Sequence, residues 1–395
     1  MLLVFILTHF PAVTFGLLPA ETIPIGIFYR FFHKKIFRFE LALLGLFAAS
    51  VFYGVLIWNS IDLEVLRAVG AYLNPLFAAT FFLTCSMHYV KKFRQVTMAV
   101  LVFFIFLGGT QLLVSNQYVN ELISFIVPRG SFDPGAGGRG ISLLTTEPSR
   151  ASIELLFAYS IVRCSVDTKL SFLYFDILIF CFVLVALKSF IGLLFCFVFF
   201  TCLYGTRVLV GTISFLLVGF AVLIFYPEEV ITFFKAERYG FIVMSLASAD
   251  SMEHLLETLV DLSGFRLVTL IGIFNYVWDS PFGGGVGFWK QSSVEALWAS
   301  DINPWDVSYF AWRGIEQFSS IRPNSYVSAL VLDFGLFSVI PMSIIFFGLI
   351  KKTMSRAPRA VTAIFLFHIF VNGTVGLIIP WVALIVCYRF ATAKV

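Results

Sequence analysis

Charge is scarce in this chain. Asp, Glu, Lys and Arg make up 13% of its 395 residues, whereas 59% are hydrophobic. A soluble domain averages about 25% charged and 45–50% apolar residues. A single soluble core also stops growing near ~250–300 residues, so the apolar excess has no soluble core to fill. An ordinary soluble enzyme or binding module is thereby excluded. Histidine is scarce too. His9, His33, His88, His254 and His368 are scattered, and no zinc-ligand spacing results. The six cysteines (Cys85, Cys164, Cys181, Cys196, Cys202 and Cys387) lie in or beside apolar runs, and no two have C-x-x-C spacing. They read as free membrane thiols rather than as disulfides or metal ligands. No metal and no cofactor is expected. A nucleotide-binding loop is missing as well. Lys290 does not complete a phosphate-binding loop after Gly283–Gly287, and Phe288 breaks the dinucleotide pattern. The glycine run suggests a tight turn or a close backbone approach to a ligand instead. The amino terminus lacks a basic leader and a small-residue cleavage site, so it reads as a retained membrane segment.

What the chain does have is long apolar runs, such as Phe39–Trp58, and 49 Phe. About 20 helical residues cover a ~30 Å hydrocarbon core. A membrane barrel would read as ~10-residue segments alternating apolar and polar, which these runs do not. The expected fold is all-α: a polytopic transmembrane helical bundle of 10–12 spans with a large external loop containing short amphipathic helices.

Basic clusters mark the cytoplasmic side of a membrane protein. Here they fall at His33–Arg38, Lys91–Arg94, Arg163–Lys169, Lys351–Arg359 and Arg389–Lys394. Phe39–Trp58 then goes out, Leu66–Val90 returns, Val96–Ser115 goes out and Ser149–Val162 returns. Leu170–Leu187 and Phe190–Tyr204 form a hairpin, Val208–Tyr226 goes out, and Tyr326–Ile350 comes back. Ala360–Phe390, with "VNGTVG" at its centre, suggests a hairpin of short helices. Leu2–Leu18 is long enough to span, and Thr22–Phe32 is short. Parity gives ten crossings. Three regions follow: residues 1–226 with an external loop at 116–150, the long external loop 227–322, and membrane helices in 323–395. The long loop holds 6 Lys and Arg against 12 Asp and Glu, a formal −6; the whole chain is +4, so the remainder carries +10. The acidic loop agrees with an outer placement. No soluble domain and no internal repeat is evident.

The informative polar residues sit in two external segments. In the first, Thr145–Arg150 looks like a helix start, with Thr146 as a cap and Pro148 in the first turn. An ordinary helix start explains the Thr, Glu and Pro. It leaves Arg150 and Glu154 unexplained, because charges continuing into a membrane helix are costly and usually line a cavity or pair. In the second, the Leu255–Leu262 stretch has near-helical apolar spacing, which fits a helix lying on the membrane surface or packing over the bundle. Arg266 stands in an apolar helical stretch, and Arg322 opens "RPNSYVSALVLDFG" at the mouth of the next membrane helix. A planar guanidinium suits phosphate oxygens, and an interface-anchoring arginine is the bland alternative. Arg207 also serves as a cytoplasmic anchor, and Asp62–Glu64 reads as a solvated short loop.

Three of these pieces, in order, resemble the Wzy-type O-antigen polymerases and the related O-antigen ligases. "YGTRVLVG" at Tyr204–Gly211 is similar to that family's Gly-Ser-Arg helix start. "FRLVTLIGIFNYVWDSPFGGGVG" is similar to its Arg followed by Pro-x-Gly-x-Gly. "RPNSYVSALVLDFGLFSVIP" is similar to its helix start after the loop, with Asp333, Gly335 and Leu336 in the acidic and Gly-Leu places. The ligases carry a His at this junction; here Arg322-Pro323-Asn324-Ser325 has none, which favours polymerase. The resemblance implies transfer of a glycan from undecaprenyl pyrophosphate to a hydroxyl of a second lipid-linked unit, in a bacterial inner membrane. It implies no nucleotide sugar, no metal and no nucleic acid, with membrane lipid and a chain-length regulator as further partners. On that reading Arg266 and Arg322 neutralise the leaving pyrophosphate, and Glu147 is the candidate base, with Asp333 behind it. Arg139, Arg150, Gly285, Asn324 and Tyr326 are candidate substrate-binding residues. Two rival readings remain: a flippase or transporter of lipid-linked sugars, and a polyprenyl-phosphate-sugar glycosyltransferase.

Overall fold

The structure is a computed structural model. It describes residues 1–10, 14–15, 18–19, 25–33, 35–60, 63–113, 127, 140–145, 147–164, 171–205, 250–251, 254, 258–259, 265–312, 314–315 and 317–393. In chain order its helices are α1 (Leu2–Leu7), α2 (Ile25–Phe32), α3 (Arg38–Trp58), α4 (Leu63–Thr84), α5 (Met87–Leu113), α6 (Pro148–Arg163), α7 (Ser171–Cys181), α8 (Phe190–Tyr204), α9 (Phe265–Asp279), α10 (Trp289–Trp298), α11 (Ser308–Trp312), α12 (Tyr326–Phe334), α13 (Val339–Ile345), α14 (Lys351–Met354), α15 (Arg359–Val371) and α16 (Ile379–Ala393). Four helical stretches are long and apolar enough to cross a membrane: Arg38–Trp58, Leu63–Thr84, Met87–Leu112 and Tyr326–Met354. They mark a membrane protein, because lipid offers no hydrogen bonds and the backbone must satisfy itself internally.

The helices sort into a core and a rim. In α6 every residue from Ala151 to Arg163 is buried, and in α16 every residue from Ile379 to Tyr388. By contrast, only 22% of the apolar window of α3 and 33% of that of α5 is buried. Phe52, Leu56, Phe106 and Phe347 are left on the outside. Exposed apolar faces on long helices are what lipid contact requires.

Contacts at the two ends of the bundle separate the basic residues from the glycine run. At one end Arg389 donates to the terminal carbonyls of α4: Phe82 O at 3.1 Å, Leu83 O at 2.6 Å and Cys85 O at 2.9 Å. A helix end leaves such carbonyls without partners, so this arginine caps as well as anchors. At the same end His33 Nε2 lies 2.7 Å from Thr84 Oγ1, and Arg94 stands 5.9 Å over the Phe390 ring. At the other end Trp58 Nε1 donates to Gly284 O at 2.8 Å, and the Ile141 N–H donates to Ala186 O at 3.0 Å.

Several boundaries differ from the sequence reading. Leu2–Leu18 is not one spanning helix. α1 stops at Leu7, where the Thr8 hydroxyl lies 2.8 Å from Val4 O and 2.7 Å from Tyr29 OH. Thr14–Phe15 and Leu18–Pro19 then pair as a two-residue antiparallel ladder. The break before α5 falls at Cys85–Ser86, so Lys91–Arg94 ride inside the helix rather than in a loop. Its 27 residues span about 40 Å at 1.5 Å per residue. That exceeds a ~30 Å hydrocarbon core and lets the basic first turns stand clear of it. The carboxy-terminal stretch does form a hairpin of short helices, α15 and α16. Val208–Tyr226 and most of Leu255–Leu262 lie outside the described residues.

Within the long loop, α9, α10 and the residues after them enclose a small core of their own: Val268, Leu297, Val307, Phe310, Phe318 and Ile321. Most of the other buried apolar residues form the bundle core, from which this cluster is distinct.

Candidate functional site

The site is organised by the break in the Tyr326–Met354 stretch. α12 starts with a reciprocal cap, in which Ser325 Oγ accepts from the Ser328 N–H and Ser328 Oγ from the Ser325 N–H, each at 3.0 Å. It ends at Gly335, which has φ +57° and leads into a short 3₁₀ turn. Ending the helix there frees the carbonyls of its last turn. The glycine run takes them: the Gly284 N–H donates to Leu332 O at 2.9 Å, and the Gly285 N–H donates to Asp333 O at 3.1 Å. Only glycine can lie this close. A Cβ on Gly285 would stand 2.6 Å from Gly54 Cα, and one on Gly335 would stand 2.2 Å from Pro281 O. The close backbone approach expected of the run is therefore made to α3 and α12, and the Gly285 N–H is engaged inside the fold. Beside Gly284, burial pushes the Tyr276 hydroxyl up to about 12, which keeps it a hydrogen-bond donor.

Asp333 is the hub of this region. It is fully buried, and its carboxylate accepts from Trp289 Nε1 at 2.8 Å and from Tyr72 OH at 2.6 Å. With both oxygens engaged, Asp333 holds the glycine run, α4 and α10 together. Above it, the Arg322 guanidinium stands 5.9 Å over the Trp289 ring. Arg322 is exposed and makes no ion pair among the described residues. Two residues on, Asn324 Nδ2 and Tyr326 OH are buried atoms without a hydrogen-bond partner among the described residues. Tyr326 is 3% exposed, with its ring 5.6 Å from Tyr72 and 5.2 Å from Trp381. A buried hydroxyl and amide left open are unusual, because desolvation without a bond is costly.

The second group joins residues of the 116–150 and 227–322 segments. Arg266, in the first turn of α9, lies 4.0 Å from Glu147 Oε2, with the two side chains 39% and 60% exposed. Glu147 is the residue that precedes α6, and Pro148 occupies that helix's first turn. The N-cap is thus Glu147; Thr146 lies outside the described residues. Arg150 is half-buried on the same first turn, while Arg139 lies outside the described residues. Val268, two residues after Arg266, and Ile321, directly before Arg322, share the small core within residues 265–321. No protein-family model, curated protein or solved structure matches this chain. Function must be argued from the chemistry of the residues themselves. Among the described residues no group of three His, Cys, Asp or Glu could hold a metal ion.

Sequence reasoning passed over two features. Trp289 is one, and the only signal for it was that a buried indole N–H requires an acceptor. The other is Asp176, an acid within the apolar run Leu170–Leu187, where an ionisable residue should prompt a search for its partner. That partner is Arg163 at 3.3 Å, with both side chains under 5% exposed and with Tyr159 and Tyr204 donating to the same carboxylate.

Proposed function

We propose that this chain is a multi-pass bacterial inner-membrane protein, crossing ten to twelve times, that polymerises undecaprenyl-pyrophosphate-linked oligosaccharide units at the periplasmic face. The observation that carries this reading is the meeting of Glu147 with Arg266 across two segments far apart in the chain. It sets a carboxylate beside a cation at the end of the bundle opposite the basic clusters. In the proposed reaction the acceptor hydroxyl loses its proton to Glu147, and its oxygen forms the new bond to the anomeric carbon. The bond from that carbon to the pyrophosphate oxygen breaks, and the lipid pyrophosphate leaves with both bonding electrons. Arg266 and Arg322 neutralise the charge that develops on it. The open polar atoms of Asn324 and Tyr326 are suited to sugar hydroxyls.

The test is direct. Purified protein supplied with lipid-linked repeat units alone should yield a ladder of longer lipid-linked glycans. A flippase would move the substrate between leaflets without lengthening it, and a polyprenyl-phosphate-sugar transferase would require its own donor. Arg266→Ala and Arg322→Ala should each slow ladder formation by about 10²–10³, the usual effect of losing one preorganised charge contact. Normal ladders from both variants would sink the assignment.

A further inference from the structure

We propose that Trp289 is the positioning residue for the Arg322 guanidinium at a diphosphate-binding site, with Asp333 fixing the indole through its ring N–H. The inference rests on reading Arg322 as the cation that meets the pyrophosphate. Three observations carry it. First, the indole cannot turn. It is 7% exposed, and its N–H is held by Asp333 Oδ1 at 2.8 Å, while the other carboxylate oxygen is held by Tyr72. Second, the Arg322 guanidinium lies over the face of that ring, 5.9 Å from its centre, within the range of a cation–π contact. Third, the backbone beside it is tied to the same helix: the Ile321 N–H donates to Ser293 Oγ at 3.0 Å. Trp289 and Ser293 are four apart on α10, so they share one face of it. One face of one helix therefore grips both the backbone at Ile321 and the side chain at Arg322.

The consequence is chemical. A cation–π contact uses the charge of the guanidinium and takes up none of its five N–H donors as a salt bridge would. The N–H edge of the guanidinium can meet two phosphate oxygens at once. A long side chain already held in place loses less freedom when the ligand arrives, which raises affinity without adding a contact. Arg322 makes no ion pair among the described residues, so no carboxylate there competes for that edge.

A double-mutant cycle tests this. The probe is farnesyl pyrophosphate, titrated into the purified full-length protein in lipid nanodiscs. Trp289→Leu removes the ring and should raise Kd about fivefold. Trp289→Phe keeps a ring but loses the N–H, and it should restore part of that loss. Arg322→Ala should weaken binding more than either. The double variant Trp289→Leu/Arg322→Ala should bind no worse than Arg322→Ala alone, because the tryptophan acts through the arginine. Losses that multiply, or unchanged binding by Trp289→Leu, would overturn the proposal, as would a wild-type protein that does not bind the probe. If Trp289→Leu is not recovered from the membrane, the same cycle with Trp289→Phe decides, with a smaller loss and the same lack of multiplication. The glycan ladder is read separately. A non-multiplying cycle without a ladder overturns the polymerase reading and supports the positioning role, and a ladder with a multiplying cycle does the reverse.

Discussion

Single residues carry most of the functional argument. The Glu147–Arg266 pair is largely exposed, and its atoms are 4.0 Å apart. Such pairs contribute about 0–1 kcal/mol to stability, so this one does little for the fold. Glu147→Gln should therefore leave the melting temperature nearly unchanged. If the carboxylate takes the acceptor proton, the same change should slow glycan elongation by roughly 10²–10⁴, the usual contribution of a positioned base. Unchanged elongation would remove Glu147 from the mechanism. The Arg163–Asp176 pair behaves oppositely, because both side chains are buried. Asp176→Asn leaves an arginine buried without its counter-charge, which typically costs about 3–5 kcal/mol. Thermal melting of the detergent-solubilised variant should show a clear drop, and a wild-type melt would refute a structural role for the pair.

At the scale of elements, the glycine run and the broken helix explain one another. α12 stops at Gly335, and its freed carbonyls accept from Gly284 and Gly285. An alanine at Gly285 would need a positive φ of +84° and would collide with Gly54. Gly285→Ala should thus destabilise the protein by about 1–3 kcal/mol, the usual cost of overpacking. A melt equal to wild type would show that the run does not bear on the fold. Element limits were only partly legible in the sequence. α8 coincides with the apolar run Phe190–Tyr204, because the Lys188 and Ser189 turn before it and Gly205 after it stop the helix where the apolar residues stop. α5 starts earlier than its apolar run, since a charged turn is still good helix and hydropathy does not register its continuation. α1 ends earlier than its apolar run, because an apolar stretch can leave the helix once side chains such as Thr8 and Tyr29 offer other partners.

For the whole molecule, the decisive question is which end faces which compartment. The two ends are set apart by Arg389 on the carbonyls of α4 and by Trp58 on the glycine run. With the basic end in the cytoplasm, an impermeant thiol reagent applied to intact spheroplasts should label Asp306→Cys and spare Arg356→Cys. The opposite pattern would invert the topology and overturn the proposed outward-facing site. Composition and apolar run length determined by themselves that this is a helical membrane protein, because a polar backbone in lipid is satisfied only in helices or closed barrels, and continuous apolar runs do not alternate as barrel strands do. A charge beside an apolar run is costly enough to be conspicuous, which drew attention to Arg266 and Arg322, whereas Glu147 entered as a base only through the family resemblance. Only the tertiary structure decided that Glu147 and Arg266 meet, that Asp333 is an engaged scaffold rather than an open acid, and that Trp289 underlies Arg322. These are contacts between distant segments, and they depend on how the helices pack rather than on any local pattern of residues.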